Sequence, residues 1–214
     1  MAVGILVMGE SGSGKTTSLR NLPPEQTYFI DADKKKMAWK GFRKQYNSEN
    51  KNYIATDEPN KIYGLLKGIS DKCPNIKYVV VDTINAIMVS EEMRRSKEKN
   101  FDKWMDLATY IYNILDITAE LRDDLVIIFT AHSETDRDDN GYLFTRMKTS
   151  GKKLNKIVPE SKFNIVLLAK VKDGKHIFET KANQSTAKTP IGLFDTDEID
   201  NDIMLVINEL EEYI

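Results

Sequence analysis

The chain carries one cysteine, Cys73, so no disulfide within the molecule can brace it, and this usage fits a reducing compartment. It has only two histidines, His132 and His176, and no His/Cys/Asp cluster at the spacing of a zinc site. A nucleophile elbow is missing as well. No apolar run nears the roughly 18 residues that a membrane-crossing helix needs. The opening MAVGILVMG is apolar but short and lacks a basic leader, so it reads as a buried strand rather than a signal peptide. These absences predict a soluble cytoplasmic protein with no membrane partner. Excess charge is lacking too: 31 Lys and Arg against 33 Asp and Glu leave a formal net charge of -2. That argues against a generically basic nucleic-acid binder, and any DNA contact has to come from a local patch. There is no internal repeat and no low-complexity linker, and 41% hydrophobic residues in 214 are enough for one core.

What is present alternates strand and helix as far as Thr130. Val3 to Met8, Thr27 to Asp31, Tyr53 to Thr56, Tyr78 to Asp82 and Leu125 to Thr130 are short apolar runs that predict buried strands. Between them, helices are predicted over Lys15 to Leu22 (stopped by Pro23-Pro24), Lys34 to Tyr46, Asn60 to Asp71, Ile84 to Met93 and Phe101 to Leu121. After Thr130 the pattern changes. Asp139-Asn140-Gly141 is a turn signal before the alternating Tyr142 to Lys148, and Lys172-Asp173-Gly174-Lys175 is a strong hairpin signal between two strands. Asp200 to Tyr213 predicts an amphipathic helix. The expected fold class is α/β, a mostly parallel central sheet flanked by helices with a C-terminal antiparallel hairpin extension. One domain is expected over 1–214: a core over 1–132, a hairpin-rich extension over 133–181 and a closing helix over 200–214.

Gly9-Glu10-Ser11-Gly12-Ser13-Gly14-Lys15-Thr16, followed by Thr17, matches G-x-x-x-x-G-K-[ST] in full. Small residues at this spacing let backbone N–H groups turn inward around phosphates. Gly9, Ser11, Gly12, Ser13, Gly14, Lys15, Thr16 and Thr17 are therefore the candidate nucleotide-binding set, with Lys15 reaching the β- and γ-phosphates. The Thr16 hydroxyl would join a Mg²⁺ shell, and Asp82, at the end of YVVVD, is its companion carboxylate. TYFIDAD places Asp31 and Asp33 at another strand end, where open α/β sheets face their ligand crevice. Asp33 suits either a water-orienting carboxylate or a helix N-cap, and Asp31 suits a structural role. His132, just past IIFTA, suits a phosphate sensor or an exposed loop residue. Glu10 is a second candidate for water activation, or else a surface residue of the loop or a contact to a neighbouring subunit.

GESGSGKTT, FIDAD, VVVDT and IIFTAHSE, in that order, resemble the RecA-like P-loop ATPases, and are most similar to the compact phage proteins of that type, which include single-strand annealing and recombination ATPases. The similarity runs over about Val3 to His132 and is looser to Lys181. It implies ATP and Mg²⁺ as cofactors, and the departures from the family pattern at Asp33 and His132 imply slow hydrolysis. Lys15, Asp33 and His132 are the implied catalytic group: Asp33 stands where the family carries a catalytic Glu, and His132 falls in the region of a Gln sensor. It also implies a homo-oligomer with nucleotide near subunit interfaces, in the cytoplasm of a bacterial host. The work implied is on phage DNA, in recombination, single-strand annealing or replication, with single-stranded DNA and other phage replication or recombination proteins as partners.

Two basic stretches are candidate contacts for nucleic acid. Lys34 to Lys44 interleaves bases with Trp39 and Phe42, which suits stacking on single strands or, alternatively, an amphipathic helix turned to the core. RMKTSGKKLNK carries Arg146, Lys148, Lys152 and Lys153, which suit DNA, a neighbouring subunit's ATP, or a solvated hairpin. Two other functions stay open: a nucleotide-gated adaptor or loader with incidental hydrolysis, and a small-molecule nucleotide kinase, against which stands the want of an arginine-rich lid.

Overall fold

The computed structural model describes residues 1–99, 102–137, 140–150 and 152–213, the side chains at 152, 153 and 155 excepted. Strand β1 (Val3–Gly9) is apolar on both faces and lies at the centre. Strands β2 (Thr27–Asp31), β3 (Tyr53–Ala55), β4 (Tyr78–Asp82) and β5 (Val126–Arg137) follow. Strand β6 (Leu143–Met147) pairs with the outer half of β5, and β7 (Ile165–Lys172), β8 (Lys175–Glu179) and β9 (Glu198–Asp200) complete the sheet. The order is β3-β2-β4-β5-β1-β7-β8-β9. It is parallel from β3 through β7 and antiparallel beyond. The C-terminal hairpin is thus anchored by β7, which joins β1 in parallel and extends the central sheet instead of hanging from it. Asp173 and Gly174 have φ of 50° and 74°, the left-handed pair that a two-residue hairpin turn requires.

Period-two alternation divides the core. Leu6 and Met8 face one way with Ile30, Val79, Val81 and Phe129. That face is covered by α2 (Pro59–Lys72), α3 (Ile84–Arg94) and α4 (Asp102–Asp116) through Ile62, Leu66, Ile87, Ile111 and Leu115. Ile5 and Val7 face the other way with Phe29, Val80 and Ile128. There the last helix, α6 (Ile203–Tyr213), buries Ile203, Val206, Ile207 and Leu210; α1 (Phe42–Gln45) and α5 (Lys152–Ile157) are short. Burying each such aliphatic side chain contributes roughly 1.5–3 kcal/mol. Among the described residues no helix is long and apolar enough to cross a membrane.

Two predicted helices are much shorter than their sequences suggest. After the glycine-rich loop only Thr17–Leu19 is helical, as a single 3-10 turn. The Ser18 hydroxyl donates to the Lys15 carbonyl at 2.6 Å, and Leu19 N–H closes on Thr16 O at 3.2 Å, a three-residue step rather than four. Likewise, 34–41 is a loop. Trp39, Phe42 and Tyr46 do turn inward, with ring centroids 6.4, 5.1 and 5.3 Å from Phe29, but from a loop and one helical turn.

Register then decides what meets at the strand ends. Gly9 lies opposite His132, and Asp31 opposite Asp82. The connection leaving β1 passes over β5 and β4, whereas β7 lies on its other side, which makes the carboxyl end of β1 a topological switch point and the expected ligand crevice.

Candidate functional site

The glycine-rich loop follows β1 at that switch point. A Cβ on Gly9 would stand 2.5 Å from both Ala169 O and Ser13 Oγ, so only glycine lets the loop leave β1 beside β7. Gly14 has φ of 99°, which a side chain would strain, and a Cβ there would lie 2.9 Å from both His176 Nδ1 and Asn201 Oδ1. His176 on β8 also donates from Nδ1 to Ser13 O at 3.1 Å, since a carbonyl can only accept. The C-terminal hairpin therefore supports the loop from behind.

Lys15 is buried and donates to the carbonyls of Gly9 at 2.8 Å and Glu10 at 2.6 Å. Burial pulls its ammonium down to about 8, Asp82 opposes this and Lys35 reinforces it. The Ser13 hydroxyl is buried in the same loop with no partner, a polar atom the fold leaves without a hydrogen bond. Glu10 is exposed on the loop.

Asp82 ends β4 under the loop. Thr16 donates to its two oxygens at 3.2 and 3.1 Å, and the Thr130 hydroxyl on β5 donates to Oδ1. Burial pushes the Asp82 carboxyl up to about 6; the Thr130 and Thr16 hydroxyls oppose the rise and nearby Asp33 adds to it. A hydroxyl and a carboxylate in contact form an all-oxygen donor set, which suits Mg²⁺ completed by phosphates and water. Among the described residues no group of three or more His, Cys, Asp or Glu could hold a metal by itself.

Asp33 lies past the end of β2. Its backbone N–H donates to Asp82 O at 3.2 Å, its Oδ1 accepts from Thr83 at 3.3 Å, and its Oδ2 accepts from Lys35 Nζ at 2.7 Å. It caps no helix; the cap of α3 is Thr83, whose hydroxyl accepts from Ala86 N at 3.2 Å. Asp31 is buried and holds the next loop, accepting from Tyr53 Oη at 2.7 Å and from Lys36 N at 3.0 Å. His132 is fixed through its backbone: its N–H donates to Asn85 Oδ1 at 2.6 Å, and Asn85 Nδ2 donates to Lys148 O at 2.8 Å. Burial, with Lys15 adding to it, lowers the His132 imidazole and keeps it neutral near pH 7.

Loop residues Ser11, Gly12 and Gly14 to Thr17 form one wall of a cavity of about 240 Å³, and Asp33, Lys35, Thr83, His132 and His176 form the rest. Lys15, Thr16, Asp33 and His132 are thus brought to one opening, with Asp82 directly beneath Thr16. Of the two basic stretches, Lys34 to Lys44 brings Lys35 to this cavity, whereas Arg146 and Lys148 of the other do not line it. Arg146 lies on the β5–β6 ribbon, paired with Glu134 at 3.2 Å and Asp136 at 3.1 Å, and Lys148 is exposed beyond its end. Lys152 and Lys153 open α5, but their side chains lie outside the described residues. Sequence reasoning missed Thr130, Asn85 and His176 as site residues. For Thr130 the signal was a hydroxyl inside an otherwise apolar strand; for Asn85 there was none before the register was known.

A family model described as AAA domain matches residues 1–191. No curated protein matches the chain. With a complete phosphate-binding loop at its switch point and nine-tenths of its length matched, the chain belongs to the AAA domain family of P-loop nucleotide-binding ATPases.

Proposed function

We propose that this chain is a RecA-like ATPase that binds ATP with Mg²⁺ and hydrolyses it slowly. The convergence of Lys15, Thr16, Asp33 and His132 on one cavity beside Asp82 carries this reading. Gly9 to Thr17 would hold the phosphates, and Thr16 and Asp82 would hold Mg²⁺, which neutralises charge on the phosphoryl oxygens. Asp33 would orient and deprotonate the attacking water, and His132 would contact the terminal phosphate. Slow turnover follows from residue 33 being an Asp, one methylene shorter than a Glu and so with less reach to the attacking water. Its work would be on phage DNA in a homo-oligomer, in recombination, annealing or replication support.

The ion pairs of Arg146 within its own ribbon favour one second reading, an adaptor gated by nucleotide, because they occupy the one arginine of the basic stretch expected to contact DNA or a neighbour's ATP. ATP turnover measured with and without single-stranded DNA, alongside mass in solution, separates the two. Stimulated turnover by an oligomer is the expected result; turnover indifferent to DNA in a monomer would favour the adaptor.

A further inference from the structure

Among the described residues, one lysine besides Lys15 borders the cavity, and the fold fixes its backbone closely. The backbone N–H groups of Lys35 and Lys36 donate to Asp31 at 3.4 and 3.0 Å, and Tyr53 Oη secures the same carboxylate at 2.7 Å. Lys34 and Lys36, on either side, adopt φ of 58° and 57°, a region that residues other than glycine seldom occupy. Asp31 is 3% exposed, whereas the Lys35 side chain is 70% exposed with its Nζ 2.7 Å from Asp33 Oδ2. A buried carboxylate thus pins the root of Lys35 while its end stays free to swing. An exposed ion pair two residues apart is worth at most about 1 kcal/mol, too little to explain a loop bent at two positions to present it. Lys35 also borders the adjoining opening of about 140 Å³, which Thr16 and Asp82 line as well.

The geometry points to Lys35 as a second phosphate-recognising cation that exchanges partners: it pairs with Asp33 when no terminal phosphate is present and with the γ-phosphate when ATP is bound. This rests on the ATP reading above. A charge-assisted bond to a phosphate inside the cavity outweighs a solvent-screened pair with Asp33. The exchange requires only side-chain rotamer changes, because Asp31 holds the backbone. ADP offers no group at that position, so Lys35 stays on Asp33. One residue of the same chain would then distinguish ATP from ADP and would free Asp33 to accept a proton only when there is a bond to hydrolyse.

The test is calorimetric binding of ADP and of the imido analogue of ATP, each with Mg²⁺, to the unaltered protein, Lys35→Ala and Lys35→Arg. Lys35→Ala should weaken the analogue about tenfold while changing ADP less than about twofold, and Lys35→Arg should keep the preference. Equal losses on both nucleotides, or no loss on either, would overturn the proposal; ADP binding reports that the variant is folded. Failure of the unaltered protein to bind either nucleotide would instead overturn the ATP reading itself.

Discussion

Lys15 makes nucleotide affinity depend on pH in a direction and window that the structure sets. Its ammonium is pulled from 10.5 down to about 8 by burial, only partly offset by Asp82. A bound polyphosphate restores the charge, so binding above that pH must draw a proton from solution. At about pH 9 some nine-tenths of the free sites would hold a neutral lysine, and affinity should fall close to tenfold, or about 1.4 kcal/mol, per further pH unit. Neighbouring groups do not confuse the window: Lys35 is raised by its bond to Asp33 and stays charged, and His132 is lowered and stays neutral. Calorimetry between about pH 7 and 9.5, in buffers of different ionisation heat, reads both affinity and proton uptake; uptake should rise from near zero to near one. Lys15→Arg should bind more weakly yet with a flat profile, since a guanidinium keeps its charge throughout. Flat affinity with no uptake in the unaltered protein would refute the reasoning.

Three further outcomes follow. Asn85→Ala leaves the His132 N–H and the Lys148 carbonyl without partners; it should cost about 1–3 kcal/mol in urea unfolding and raise amide exchange at His132. Phe42→Ala empties the centre of the aromatic cluster around Phe29 and should cost about 3–5 kcal/mol, read by chemical denaturation. At Asp57, burial alone would raise the carboxyl, but hydrogen bonds from Lys34, Ser90 and Arg94 outweigh it and hold the group at about 2 instead of 3.8. A depressed folded value means this stabilisation is full above 3.8 and lost as pH falls through about 2. Because Lys34 and Arg94 are half-exposed, it is on the order of 1 kcal/mol, and Asp57→Asn should flatten acid unfolding in that window.

Much of the fold was legible because buried parallel strands are short apolar runs with sharp ends. Tyr78–Asp82 and Thr27–Asp31 stop where an acid follows the last apolar residue, and the sequence predicts both to the residue. The hairpin at Asp173-Gly174 was equally plain, because its turn geometry selects for few residues. The helices predicted at 15–22 and 34–46 failed for separate reasons. Ser18 takes the Lys15 carbonyl and the turn tightens to three-residue steps, whereas Lys34, Lys36 and Gly41 adopt positive φ of 58°, 57° and 93°, which a right-handed helix does not admit. At the site, the phosphate-binding loop, Asp82 and Asp33 could be named from strand ends. Thr130, Asn85 and the support from His176 depend on which strands lie side by side, and that β7 joins β1 in parallel is a matter of tertiary pairing that local pattern does not encode.

Asp33 is proposed as the proton acceptor of a hydrolytic site assembled by the strand ends beneath the loop. Single-turnover ATP hydrolysis by Asp33→Asn, with binding measured on the same sample, tests it most directly. ATP·Mg²⁺ affinity should stay within about threefold of the unaltered protein while the hydrolysis rate falls by about a hundredfold or more. Undiminished hydrolysis in that variant would contradict it and move the chemistry to another residue of the cavity.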